Sequence, residues 1–382
     1  MSSPFPTFSR RRLLQQASLL GASAMAPAWA QPGKPVTAGK SVVIAQVVDF
    51  SQAQQDVSKD FLIGSRAAWQ DINLRGGLRG RPVQHLVLET DGTPASLRTA
   101  LEAIKATPSC VAVSGSVGDL MAARVVAGLR SDGLNVAHVA PWLQNSSLEV
   151  DDSTFPIFAA RQEQIGHALK TLSVMGMKEL GAVYGTAGDY ASFHVEVERI
   201  AAGMQLKLES FQGGTGLRAL GQKLTPQTPA VLLFVGGTPE LAEFTQGLAK
   251  QARQRYVVAL ADVNLQTMQQ MGASRNTPVI ATQPVPMVTA SLPVVRQYRE
   301  TLSRLFDEPP TSLSLAGFIA ARYTFEVLND VDGQLTRPSA LAAFQRRTAM
   351  DVGGFRIAFN PQRRSSTYVT QSMMTLDGRL IG

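Results

Sequence analysis

Residues with chemical potential are few in this chain, and their spacing speaks against catalysis. Ser116 lies in Ser114-Gly115-Ser116-Val117-Gly118, which lacks the leading glycine of a G-x-S-x-G elbow, the turn that strains a serine into a nucleophile. Gly213-Gly214-Thr215-Gly216 is a glycine cluster without the lysine of a phosphate loop. His85, His138, His167 and His194 form no i, i+4 pair and no acid–histidine spacing of a zinc site. His85 and His138 fall in apolar runs and are expected to be structural. Cys110 is the only cysteine, so an intrachain disulfide and a cysteine-rich metal site are both excluded. It opens the run Cys110-Val111-Ala112-Val113, where cysteine behaves as a small buried hydrophobe. Asn145-Ser146-Ser147 has the form of a glycosylation acceptor, which carries no meaning in a bacterial export context. The expectation is a non-enzyme with no cofactor and no metal.

The 382 residues suffice for two ordinary domains, and 45% apolar with 17% charged content is that of a globular chain. No run approaches the roughly 18 apolar residues of a membrane-spanning helix. Residues 1–30 read as a cleavable leader: Arg10-Arg11-Arg12, a short apolar stretch from Leu19 to Ala26, then Ala28-Trp29-Ala30 ahead of Gln31. The paired arginines after Ser9, followed by leucines, resemble a twin-arginine signal; an arginine-rich Sec leader is the alternative, and both end in the periplasm. Cys110 is too far from the cleavage site to be a lipoprotein's acylated residue, so a soluble exported protein is expected. Loss of three arginines takes the formal charge from +7 to +4. The remaining basic residues are dispersed, with no aromatic-laced stripe for nucleic acid.

Downstream of a linker over residues 31–40, strand and helix signals alternate. Strands are expected at Ser41–Val48, Val83–Glu89, Cys110–Ser114 and Asn135–Ala140, with helices at Gly64–Leu74, Ala95–Ala106 and Leu120–Ser131 between them. The pattern then restarts, with strands at Glu179–Tyr184, Ala230–Val235, Tyr256–Ala261 and Pro278–Gln283 and helices at Gln164–Met175, Ala191–Gly203 and Pro239–Gln251. Such alternation predicts βαβ units and two α/β lobes, each a doubly wound, mostly parallel sheet. Three further helices from Pro293 to Arg346 and a hairpin of Phe355–Asn360 with Tyr368–Leu376 are expected to pack back onto the lobes. The expected division is 41–157 plus 284–350 for the N-terminal lobe and 158–283 plus 351–382 for the C-terminal lobe. Thr282-Gln283-Pro284 and Gly353-Gly354 are candidate hinge crossings.

Ile44-Ala45-Gln46, Gly64-Ser65-Arg66-Ala67-Ala68, Ile72-Asn73 and Gly76-Gly77-Leu78-Arg79-Gly80-Arg81 together resemble the opening of type I periplasmic solute-binding proteins of the Leu/Ile/Val-binding family. The acidic stretch Leu88-Glu89-Thr90-Asp91 and the later Gly115-Ser116-Val117-Gly118, Tyr184-Gly185, Gly236-Gly237-Thr238 and Gly353-Gly354-Phe355 extend the resemblance over the mature chain. It implies a cleft between two hinged lobes, an amino acid, amide or small carboxylate as solute, and an ABC permease in the inner membrane as partner. A sensor of the same fold feeding a receptor is the alternative reading, ahead of a secreted α/β hydrolase or a relic that no longer holds a solute.

Open parallel sheets gather ligands outside the carboxyl ends of their strands, next to free amides at helix N-termini. The candidate contacts on those loops are Phe50, Ser51, Ser114, Ser116, Gly118, Asp119, Trp142 and Gln144 from the first lobe and Tyr190, Gly237 and Asp262 from the second. Trp142 follows a strand end and a proline and would either stack on the solute or pack on a neighbouring loop. The resemblance implies that Tyr190 supplies an aromatic contact and that Asp262 receives an ammonium, a solvated loop aspartate being the alternative for the latter. It also implies a hydroxyl residue after Gly118 to grip a carboxylate, and Asp119 departs from that. Asp119 is expected either to cap a helix or to face the ligand.

Overall fold

The computed structural model describes residues 41–173, 178–213, 216–273, 276–365, 368–374 and 380–382; the expected leader and linker lie outside them. The first lobe begins with β1 (Val42–Asp49), α1 (Gln55–Leu74), β2 (Val83–Thr90), α2 (Pro94–Lys105), β3 (Cys110–Ser114), α3 (Asp119–Ser131), β4 (Ala137–Val139) and β5 (Thr154–Phe155). The chain then builds the second with α4 (Arg161–Ser173), β6 (Glu179–Tyr184), α5 (Ala187–Gly203), β7 (Lys207–Gln212), α6 (Leu217–Lys223), β8 (Val231–Val235), α7 (Thr238–Leu248), β9 (Tyr256–Ala259), α8 (Leu265–Gln270) and β10 (Val279–Gln283). It returns to the first lobe through α9 (Pro293–Leu305), α10 (Ser312–Asn329), α11 (Arg337–Gln345), β11 (Met350–Val352) and β12 (Phe355–Ile357). It finishes in the second with β13 (Thr370–Met374) and β14 (Leu380–Ile381).

Both lobes share one winding. The first sheet is ordered β2-β1-β3-β4-β5 and is parallel throughout. The parallel part of the second, β7-β6-β8-β9-β10, repeats that order, and β13 and β14 extend it antiparallel. Strands covered by helices on both faces must be apolar on both, and β1 and β8 are buried along their whole lengths. Each sheet accordingly has one apolar core on either face. β7 breaks this rule: it pairs only with β6, sits at the sheet edge, and its KLESFQ sequence alternates toward solvent.

Helices α1 and α10 cross at unusually close range in the first-lobe core. A side-chain carbon on Gly64 would overlap the Ser314 carbonyl, and one on Gly317 the Phe61 carbonyl. Glycine at both places lets the two backbones touch.

Several sequence expectations are corrected. The hairpin of Phe355–Asn360 with Tyr368–Leu376 does not form, because β12 pairs with β11 and β13 pairs with β10. Gly353-Gly354 is no hinge: it closes the β11–β12 turn with positive φ at both glycines, and the Gly353 carbonyl accepts from Val294 N on α9. The expected C-terminal lobe segment 351–382 is therefore split, since Val352, Phe355 and Ile357 are buried in the first lobe's core. The chain passes between lobes in the stretches 156–160 and 284–292, and changes lobe again between β12 and β13. α1 starts nine residues before Gly64, and α5 begins at Ala187 rather than Ala191.

Candidate functional site

The topological switch point of each sheet, where strand order reverses, lies beside β1/β3 in one lobe and β6/β8 in the other. The loops leaving these strands line one cavity of about 380 Å³. Asp49 ends β1 and Ser51 follows it, Asp91 and Thr93 follow β2, and Asp119 and Leu120 follow β3; Gln144 comes from the loop after β4. Thr186 and Asp189 follow β6, Gly237 and Glu240 follow β8, and Leu260 and Asp262 follow β9.

Local sequence positions the second-lobe wall. Thr186 caps α5, with Asp189 completing a capping box: Thr186 Oγ1 accepts from Asp189 N, and Asp189 Oδ2 accepts from Thr186 N and Oγ1. A helix started there puts residues 189, 192, 193 and 196 on one face. Asp189, Ser192 and Phe193 line the cavity, and Glu196 is buried behind them. Tyr190 falls on the adjacent face, stacked on His194 at 4.4 Å and edge-on to Tyr184.

On the first-lobe wall Gly118 has φ +94°, and a side-chain carbon there would press on Asp49. Asp119 is the first residue of α3, not its cap, and its carboxylate turns back into the protein. Its Oδ1 accepts from Gln144 N at 2.8 Å and Asn145 N at 3.0 Å, and its Oδ2 from Arg161 Nη2 at 2.8 Å. Arg161 also pairs with Glu196, whose Oε1 accepts from Ser146 N, and its guanidinium lies 4.3 Å from the centre of the Phe193 ring. All three charged side chains are at most 6% exposed. Burial alone would lower the Arg161 pKa, but the paired carboxylates of Asp119 and Glu196 raise it, so the guanidinium stays charged.

Asp262 is neither solvated nor open on all sides. Its Oδ1 accepts from Trp142 Nε1 at 2.8 Å and Gln144 Nε2 at 2.6 Å, two bonds that join the lobes. Burial raises its pKa; the donors of Trp142 and Gln144 oppose that rise and nearby Asp119 adds to it. Gln164 extends the network, donating to Gln144 Oε1 and accepting from Ala261 N.

Of the residues expected at the site, Ser51, Asp119, Gln144, Gly237 and Asp262 line the cavity. The others are placed elsewhere. Ser114 is buried against Thr324, and Ser116 against His138, so neither hydroxyl faces the cleft. Phe50 packs on the first-lobe core, and Gly118 serves the turn into α3. Trp142 is 1% exposed, wedged against Phe61 and Phe158, and reaches the cleft only through Asp262. His138 and His85 are structural; burial lowers the pKa of each to about 4. Arg161, Phe193 and Glu240 escaped sequence reasoning. Arg161 lies ahead of the expected start of its helix, and Phe193 emerges only once α5 starts at its Thr186 cap.

Among the described residues no helix is long and apolar enough to cross a membrane. Comparison with known proteins identifies the architecture. The sequence profile of the family described as periplasmic binding protein matches residues 41–374. An extracellular ligand-binding receptor from Verminephrobacter eiseniae superposes with a TM-score of 0.80 at 18% identity, covering 90% of this chain and 100% of that one. A fatty acid ABC transporter substrate-binding protein from Thermomonospora curvata gives 0.75 at 15%, over 90% and 91% of the two chains. The branched-chain amino acid transporter substrate binding protein LivJ from Streptococcus pneumoniae, solved with isoleucine, gives 0.73 at 14%, over 90% and 98%. No curated protein matches the sequence. At these identities the superpositions speak for the type I fold, while the profile spans most of the chain: it belongs to the periplasmic binding protein family.

Proposed function

We propose that this protein is the extracytoplasmic solute-binding subunit of an ABC importer, exported by its N-terminal leader and working in the periplasm without catalysis. It holds an amino acid or a related small molecule between its lobes and presents the closed form to a permease. The observation that carries this reading is the cavity lined by the strand-end loops of both sheets. A solute touching both walls stabilises the closed arrangement by its differential affinity, and on the order of 5 kcal/mol shifts a mostly open population to a mostly closed one. The relatives described as ABC transporter binding proteins support the importer role.

The test is thermal unfolding of the protein from Gln31 onward against amino acids, their amides, amines and small carboxylates. A ligand at a hundred times its dissociation constant adds about 2.7 kcal/mol and raises the unfolding temperature visibly. No stabilisation by any compound at millimolar concentration would sink the reading.

Closure has its own optical signature. The sequence has three tryptophans, of which Trp29 falls in the expected leader. With Trp69→Phe, Trp142 is the only one left in the mature protein, and its indole N–H bonds across the cleft to Asp262. A solute that changes lobe separation should shift Trp142 emission. An unchanged spectrum at saturating ligand means that binding leaves the Trp142–Asp262 bridge alone.

A further inference from the structure

The charge on the cleft wall is unbalanced. Asp49, Asp91, Asp119, Asp189, Glu240 and Asp262 line it, against Arg124 and Arg161. Arg161 is committed to Asp119 and to the buried Glu196 behind the wall. Arg124 is exposed and donates to the Gly92 carbonyl. Seven acids against two guanidiniums leave five negative charges. The five helices that open onto the cavity, α1, α2, α3, α5 and α7, each contribute about half a positive charge at most, so the surplus stays negative.

The acids lie on both walls. Asp49 borders Gly118 and Gly92 on the first-lobe side. Asp189 and Glu240 flank Gly185 on the second, close enough that a side-chain carbon there would meet both. Asp262 engages Trp142 and Gln144 through one oxygen, Oδ1. Gln54, which also lines the cavity, has a buried Oε1 with no hydrogen-bond partner. The unspent polar capacity is thus mostly acceptor. Between the acids the wall is apolar, with Val57, Phe193, Leu260 and Leu120, the last 44% exposed.

We propose that the cleft selects a cationic solute with an apolar body and no carboxylate: an amine in preference to an amino acid or an organic acid. This rests on the cleft being the solute site. A second carboxylate brought into it would meet like charge on both walls, whereas an ammonium would find acceptors on each. Burial raises the pKa of both Asp262 and Asp189, and a bound cation reverses that. At a pH low enough to protonate either acid, binding releases that proton, so affinity for an amine rises with pH up to the point where both acids are ionised, as they are in the charge count above. The charged groups that bear on these two acids are Asp119, Arg161 and, across Gly185 from Asp189, Glu240; Trp142, Gln144 and Thr186 face them as hydrogen-bond donors.

Calorimetric titration with matched trios tests this, each trio an α-amino acid, the amine lacking its carboxylate and the acid lacking its ammonium, with aliphatic and aromatic side chains. The amine is expected to bind tightest in the best trio, with an affinity that falls as the pH is lowered through the range in which Asp189 and Asp262 take up protons. Glu240→Gln and Asp262→Asn should each cut the amine-over-acid preference by about tenfold. Both substitutions keep an acceptor oxygen, and circular dichroism checks that the variants remain folded. Tightest binding by an amino acid or an acid overturns the cationic selectivity and leaves the solute-binding reading standing. Silence from every trio, together with a silent thermal screen, overturns the solute-binding reading itself.

Discussion

Arg161→Met should lower the stability of the folded protein by about 3–5 kcal/mol, the cost of stranding a buried charge by removing its partner. Two carboxylates are stranded here, since Arg161 is the shared partner of Asp119 on α3 and Glu196 on α5. Asp119 retains its two backbone donors and Glu196 retains Ser146 N, so hydrogen bonding persists while charge compensation is lost. The triple variant Arg161→Met, Asp119→Asn, Glu196→Gln should recover most of the loss, as replacing a whole buried ion cluster is often close to neutral. Urea unfolding of the three proteins checks this. A single variant within about 1 kcal/mol of the parent would mean that water or a rearranged side chain replaces the guanidinium.

Gly317→Ala is the second large effect, at about 3 kcal/mol of lost stability, the upper range of overpacking costs in a filled core. Alanine ordinarily helps a helix by nearly 1 kcal/mol over glycine, but the new methyl would occupy the place of the Phe61 carbonyl, and Ser65 N lies beside it. α1 and α10 would have to separate, loosening the apolar residues packed along both. Gly166→Ala in α4 is the internal comparison: its added carbon meets nothing within 4 Å, so it should gain up to about 1 kcal/mol. If both substitutions shift the urea midpoint alike, the close crossing is not what sets the response at Gly317.

How far the sequence spoke depended on whether the deciding partner was local. β3 and β6 have the bounds that their apolar runs predict, because burial on both faces writes itself into five or six consecutive residues. The doubly wound class follows from such runs alternating with amphipathic helices. β13 was misassigned because its partner, β10, lies some ninety residues upstream and nothing in TQSMM names it. β7 escaped because an edge strand needs no apolar run. At the site, the strand-end loops were legible as backbone features, while side-chain direction was not. Moving the start of α5 back four residues to its Thr186 cap turns Tyr190 away and brings Phe193 in. Asp119 has the residue type and place of a cap, but its role is set by Arg161 and by the loop at Gln144, both remote in sequence.

The alternating route of the chain has a consequence for its birth. When a ribosome has delivered residues up to Gln283, all five strands of the first sheet are made, but α9, α10 and α11 are not. The nascent chain then leaves Phe61 and the glycine-notched face of α1 without the helix that covers them. The second sheet waits longer still, as β13 and β14 come only after Thr370 is reached. Neither lobe is complete when the strands of its own first run have been made, so a chain stopped short of Thr370 lacks the finishing strands of one lobe, and one stopped short of Ser312 lacks the cover of the other. Each such fragment exposes apolar surface of the kind that chaperones bind and aggregates share.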